Sequence, residues 1–459
     1  MRNFPTLFWT RFQEYKDAPA IITLDEKGRP QTTTFWEWTR RIQNLAIAMM
    51  EAGFQPEDRI GLIAPNHRDL LDLTAAAWLL GGAVVPLPPG RDRKETLRCL
   101  GRSGTEWIVV VDPTERDRLA GPGGQLPGHL KWIFLQDAPA RENFFSLSSL
   151  EEEGRTLARR GRTRQLAERI YQLKPSNPTL ILFDPHPGPD AQGAFFSGKK
   201  VAAQLEAISH QLAIPESGAS SLSALSFGWF PGFLNIMATL FSGNPVVLPS
   251  SLREFSREID SLKPTHLFVG PAYLESLAQD WQDRLEKAPD LLKKLAGDDP
   301  QPDSTLGKTL SSLGSLGDFG ERALRRFLYD PIRAEFGGNL EAIYVFGGHC
   351  PAGLHDILEK AGVVLLGQFG IPEAGITHIE HPRARRPNSV GRPIEGIATK
   401  IAGAKTGESG ELCLRGDLLF DGYWAGTGPL QFDDDGWLRT GTTARLESGF
   451  AFLETPPAD

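Results

Sequence analysis

The chain has 459 residues, 40% of them hydrophobic, which is enough apolar material for about two to four packed subdomains and too much for a disordered chain. Its formal net charge of -8 disfavours a general nucleic-acid binder, which needs a basic face, and leaves room for a local basic patch. The three cysteines (Cys99, Cys350 and Cys413) are far apart and lack metal-ligand spacing, so the expectation is no disulfide framework and a reducing, cytoplasmic setting.

The first residues mix aromatics with charges and show no secretory leader. Residues 34–52 carry Trp38, Ile42, Leu45, Ala46 and Met49 at helical spacing, with Gly53 as the stop. Residues 59–64 predict a buried strand, 69–80 a helix, and 83–87 and 107–111 further strands. The longest apolar run, about 73–85, is too short to span a bilayer and reads as helix running into strand, so no transmembrane segment is expected. Residues 154–165 are rich in arginine. Either they form a patch for anionic lipid or phosphate, or they are a solvated linker or helix face, and the scarcity of apolar anchors favours the latter.

Strands are predicted again at 179–183, 245–248, 266–269, 342–346 and 363–366. Residues 280–297 predict a helical excursion and 298–320 a loop-rich insertion. From about residue 375 short β runs, at 399–402 and 411–415, alternate with glycine-rich turns. Strand and helix alternation over most of the chain implies doubly wound parallel sheets.

Several segments in fixed order resemble the adenylate-forming, AMP-binding acyl-CoA synthetases, with spacing similar to the long-chain fatty acid branch. They are Thr34-Phe35; Gly53 to Ile60; Pro65-Asn66; Gly81 to Pro86; Lys263 to Leu267 before Val269-Gly270-Pro271; Ile332-Arg333; Phe336-Gly337-Gly338; Phe346-Gly347-Gly348; Asn388 to Pro393; Gly407 to Gly416; Gly422-Tyr423; and Gly436 to Gly441. The resemblance implies an acyl-CoA synthetase N-terminal-domain-like α/β fold. It consists of two doubly wound α/β subdomains, 1–175 and 176–374, and a small distorted β-barrel subdomain at 375–459, ending at the hinge with the C-terminal lobe absent.

The family's reaction, attack of a carboxylate on the α-phosphate of ATP followed by transfer to a thiol, needs donors, a cation and Mg²⁺ around phosphate oxygens. The resemblance places the phosphate loop at residues 183–193. There the family's hydroxyl- and lysine-bearing run is replaced by Phe183-Asp184-Pro185-His186-Pro187-Gly188-Pro189-Asp190-Ala191-Gln192-Gly193. No Ser or Thr remains, three prolines remove N–H donors, two aspartates add negative charge, and Gln192 stands in the lysine's place. A second motif, Gly367-Gln368-Phe369-Gly370-Ile371-Pro372-Glu373, keeps an aromatic for adenine and a glutamate that either ligates a cation or is an ordinary turn carboxylate, while Pro372 replaces a hydroxyl. The ribose-binding carboxylate is replaced by Thr442. The chain shows no residue for the catalytic lysine of the mobile lobe.

A vestigial nucleotide pocket is therefore expected at Gly347, Gly348, Gln368, Phe369, Gly370, Glu373 and Thr442, with a degenerate phosphate loop at His186, Gly188 and Gln192. No catalytic residue and no metal ligand are assigned, and ATP or AMP with Mg²⁺ belong only to residual family activity. Three functions are open: a catalytically impaired protein binding an acyl or nucleotide-like ligand or scaffolding a biosynthetic partner, a ligase completed by a separate C-terminal lobe, and a protein–protein interaction module.

Other clusters weigh less. His349-Cys350 reads as pocket wall, since neighbours on a strand point apart. His378-Ile379-Glu380-His381 reads as a solvated loop, and Asp433-Asp434-Asp435 as a turn. The aromatic run 227–233 lines an acyl pocket or is ordinary core.

Overall fold

The computed structural model describes residues 3–122, 126–138, 141–184, 192–212, 214–215, 218–251, 254–287, 329–347, 350, 353–403, 407–426 and 432–454. The predicted insertion at 298–320 lies outside them, as do His186, Gly188 and Gly348.

The amino terminus forms a helix, Phe4–Tyr15, capped by the Asn3 side chain on the Thr6 N–H. Phe4, Phe8 and Phe12 recur at the helical spacing of four and are buried against Trp78 and Trp38. The predicted helix at 34–52 runs Phe35–Glu51. Thr34 and Glu37 form a reciprocal capping box, with the Glu37 N–H donating to Thr34 Oγ1 at 3.2 Å and the Thr34 N–H to Glu37 Oε2 at 2.9 Å. The apolar run at 73–85 resolves as expected into the helix Arg68–Leu79 and the strand Ala83–Pro86.

Two large sheets and one small sheet follow. An eight-stranded sheet joins, in spatial order, Gly422–Tyr423, Ala194–Ser197, Pro178–Leu182, Ala83–Pro86, Arg59–Ile63, Trp107–Val110, Lys131–Phe134 and Phe144–Ser146. The pairs from Pro178–Leu182 to Phe144–Ser146 are parallel, and the opposite edge is antiparallel. A nine-stranded sheet has a parallel centre of Val364–Ile371, Ala342–Phe346, His266–Val269, Ser221–Ser223, Val246–Val247 and Pro19–Leu24, flanked by antiparallel edges. The small sheet is antiparallel: Ile397–Ala402, Gly410–Gly416, Leu438–Glu447 and Phe450–Leu453.

The divisions expected at 175/176 and 374/375 do not coincide with these sheets. Strands at 178–197 complete the first sheet, strands at 19–34 pair into the second, and the hairpin partner 375–379 stays with the second. Chain order misleads here because Pro19–Leu24 and Pro178–Leu182 pair with Val246–Val247 and Ala83–Pro86, far from them along the chain. The arginine-rich segment lies on the helices Leu147–Arg159 and Thr163–Gln172, with exposed pairs Arg155–Glu152 at 2.8 Å and Arg164–Glu168 at 2.9 Å.

Candidate functional site

The strand Val364–Ile371 turns back at residues 372–374 into Gly375–Ile379, with Ile371 paired to Gly375. Glu373 therefore sits at a hairpin tip at the edge of the nine-stranded sheet. Residues 418–423 pass across that tip on their way to the edge of the eight-stranded sheet. The Phe420 N–H donates to the Glu373 carbonyl at 2.9 Å, and the Tyr423 hydroxyl donates to Glu373 Oε1 at 2.9 Å. The helix Gly198–Leu212 fastens the same segment. Gln204 donates to the Ala374 carbonyl and, at 3.3 Å, to that of Leu418. Lys200 donates to the carbonyls of Leu419 and Phe420 and stands 3.6 Å from Asp421. Asp421 accepts from the Ser197 N–H at 2.6 Å.

The retained carboxylate is thus half-buried and hydrogen-bonded. Burial raises the Glu373 pKa, the charge of Asp184 adds to the rise, and the Tyr423 hydrogen bond opposes it. The Tyr423 hydroxyl is pushed up in turn, first by burial and then by the glutamate's charge. Lys200, the cation at this junction, is engaged by two carbonyls and a carboxylate.

Gln368 is corrected from its expected place in the pocket. It is fully buried, and its amide pairs with that of Asn235: Asn235 Nδ2 donates to Gln368 Oε1 at 2.9 Å, and Gln368 Nε2 to Asn235 Oδ1 at 3.2 Å. Two buried amides satisfy each other, so Gln368 presents no group to a ligand. Sequence reasoning missed Asn235. The available signal was a lone amide in the largely apolar helix Phe230–Phe241.

Phe369 is buried with its ring 5.9 Å from that of His378. Gly370 lies in the tight part of the hairpin, where a Cβ would stand 1.9 Å from the Gly375 carbonyl oxygen. Gly347 ends the strand Ala342–Phe346, and its N–H donates to the Gln368 carbonyl at 3.0 Å. Thr442 lies in the small sheet, where its N–H donates to Thr440 Oγ1 at 3.1 Å. Among the described residues, no hydrogen bond joins it to Phe369 or Glu373. Gln192 has a buried Oε1 with no hydrogen-bond partner among the described residues. The backbone carbonyl of Asp184 accepts from Arg91 Nη2 at 3.0 Å.

The lesser clusters resolve differently. His378 and Glu380 are buried, which corrects the expectation of a solvated loop. Burial holds His378 neutral with its pKa lowered to about 3. Glu380 accepts from the N–H groups of Gly367 at 3.0 Å and Arg386 at 2.7 Å and from the Ser389 hydroxyl. It is the anchor of a loop, with its acceptor sites occupied. Among the described residues no cluster of metal-ligating side chains occurs. Burial pushes the Cys350 thiol up to about 11, which removes nucleophilic character at neutral pH. Asp433 caps a turn by accepting from the N–H groups of Asp435 and Trp437. In the aromatic run, Phe227, Phe230 and Phe233 are core. A Cβ at Gly228 would lie 2.2 Å from the Leu87 backbone, so the run packs directly on the first sheet's main chain.

The sequence profile of the AMP-binding enzyme family matches residues 8–183 and 190–424. The break between the two parts falls on 184–189, inside the proline- and aspartate-rich loop. Long-chain-fatty-acid--CoA ligase FadD15 of Mycobacterium bovis is 21% identical over 96% of this chain and 72% of its own length. Long-chain-fatty-acid--CoA ligase heimdall of Drosophila melanogaster is 22% identical over 97% of this chain and 68% of its own length. The inhibitor-bound N-terminal domain of FACL13 from Mycobacterium tuberculosis superposes with a TM-score of 0.72 at 14% identity, covering 99% of this chain and 100% of that domain. No helix among the described residues is long and apolar enough to cross a membrane. With most of its length matched by that profile, this chain belongs to the AMP-binding enzyme family and is acyl-CoA ligase-like.

Proposed function

We propose that this chain is a catalytically impaired member of its family, one that keeps the ligase scaffold but binds an acyl or nucleotide-like ligand, or holds a partner, without forming an acyl-adenylate by itself. The supporting observation is the engagement of Glu373, half-buried and hydrogen-bonded by the Tyr423 hydroxyl, with a second negative charge at Asp184 acting on it. The group that should hold Mg²⁺ has one oxygen occupied and faces added negative charge. These residues do not fit a Mg²⁺-bound triphosphate. The loop composition adds to this reading, because a polyphosphate needs N–H, hydroxyl and cationic donors, and residues 184–192 supply prolines and aspartates instead. ATP–pyrophosphate exchange, measured with a panel of fatty and aromatic acids, tests it. Exchange at background with every acid is the expected outcome, and robust exchange with any of them would refute it.

A second reading has its own support. Phe369 and Glu373 remain in the spacing that adenine stacking and cation binding require, so a separately supplied C-terminal lobe could complete a ligase. It predicts that exchange appears only after such a lobe is added.

A further inference from the structure

A groove runs between the helices Phe4–Tyr15, Phe35–Glu51, Leu147–Arg159 and Thr163–Gln172, and shares no residue with the Glu373 junction. It has two adjoining compartments, both lined by Gln43 and Thr163. The larger, about 570 Å³, is walled by Arg40, Arg41, Arg68, Arg155 and Arg159 with Trp36 at its rim. The smaller, about 240 Å³, is walled by Trp9, Leu166, Ala167, Ile170 and Tyr171. Trp36 and Tyr171, 46% and 87% exposed, are the exposed large hydrophobic side chains of the described residues, and one stands in each compartment. Large apolar side chains left open at a concave surface mark a binding site more often than scattered exposure does.

The wall's two acidic residues, Glu37 and Glu151, are outnumbered by its five arginines. Glu37 is held by Thr34 in the capping box. Asp69, Asp72 and Glu151 all pair with Arg41, and Arg68 stands 3.6 Å from Asp72. Of the remaining cations, Arg155 shares Glu152 on the exposed side. Arg40 lies 4.7 Å over the Trp36 ring, and neither it nor Arg159 has a carboxylate partner among the described residues. The groove therefore offers uncommitted guanidinium forks at one end and an apolar recess at the other. Guanidinium matches the oxygens of a phosphate better than a point charge does.

We propose that this groove binds a single-chain anionic amphiphile of the alkyl or acyl phosphate class, with the head at Arg40, Arg155 and Arg159 and the chain between Trp9 and Tyr171. Its concave form favours one enclosed molecule over a bilayer face. The inference does not depend on whether the Glu373 junction is active. Calorimetric titration with monomeric decyl phosphate tests it on the full chain. The expected result is saturable one-to-one binding, weakened roughly tenfold or more in the Arg40→Ala/Arg159→Ala double variant. Exposed Tyr171→Ser weakens it through the tail alone, while Glu373→Gln leaves it unchanged. Equal affinity for inorganic phosphate or for decanol, binding confined to vesicles of phosphatidylcholine and phosphatidylglycerol, or binding untouched by the arginine variant would each overturn it.

Discussion

At Glu373, burial and the Tyr423 hydroxyl act in opposite directions on one proton, and burial prevails. The folded chain then holds that proton to a higher pH than the unfolded chain does. Stability from this group is present at acid pH and falls as pH rises through the raised value. Glu373→Gln removes the ionisation while leaving an acceptor for Tyr423. The variant should match the parent at roughly pH 4, near the ordinary glutamate range, and melt above it at neutral pH. A variant that melts below the parent at pH 7 would mean the charged carboxylate has a stabilising partner.

The motif around Glu373 was legible as a motif, but not its closure. Tyr423 lies fifty positions downstream, in a strand of the other sheet, and nothing in local spacing reports that contact. Gln368 shows the same limit in reverse. Its place next to the aromatic suggested the pocket, but strand alternation turns it into the core against Asn235.

At the scale of elements, that amide pair sits between the helix Phe230–Phe241 and the central strand Val364–Ile371. Gln368→Leu leaves a buried Asn235 amide unpaired and should cost about 1–3 kcal/mol in urea unfolding. Asn235→Leu together with Gln368→Leu should recover most of that loss, because no orphan remains. Additive losses in the double variant would contradict the pairing.

A second contact of this kind is the crossing of Phe35–Glu51 and Leu147–Arg159, where a Cβ at Gly154 would stand 2.1 Å from the Asn44 carbonyl oxygen. Alanine ordinarily favours a helix by about 1 kcal/mol over glycine. Here the neighbour is main chain, so Gly154→Ala should instead destabilise by about 1–3 kcal/mol, the usual range for overpacking. A stabilised variant would show that the crossing is looser.

The helices and central strands were legible, since periodicity and caps such as Thr34 and Glu37 are local signals. The strand Pro19–Leu24 was not, because it joins the sheet through Val246–Val247, far along the chain, and Pro30–Thr34 follows it as the antiparallel edge.

For the whole molecule, the two large sheets meet at a junction fastened by Lys200, Gln204, Glu373 and Tyr423. At that junction protein groups bond one another across the two sheets. The family's order of motifs was readable because buried strands and turns keep their residue types. Departures from the motifs the family resemblance implies were readable where residue type differs, in the 184–192 loop and at Thr442.

The most direct test is the affinity of the purified chain for ATP, titrated with and without Mg²⁺. A chain without a polyphosphate cradle should show weak binding at most, with no strengthening when Mg²⁺ is added. Tight, Mg²⁺-dependent binding accompanied by acyl-AMP formation would contradict it.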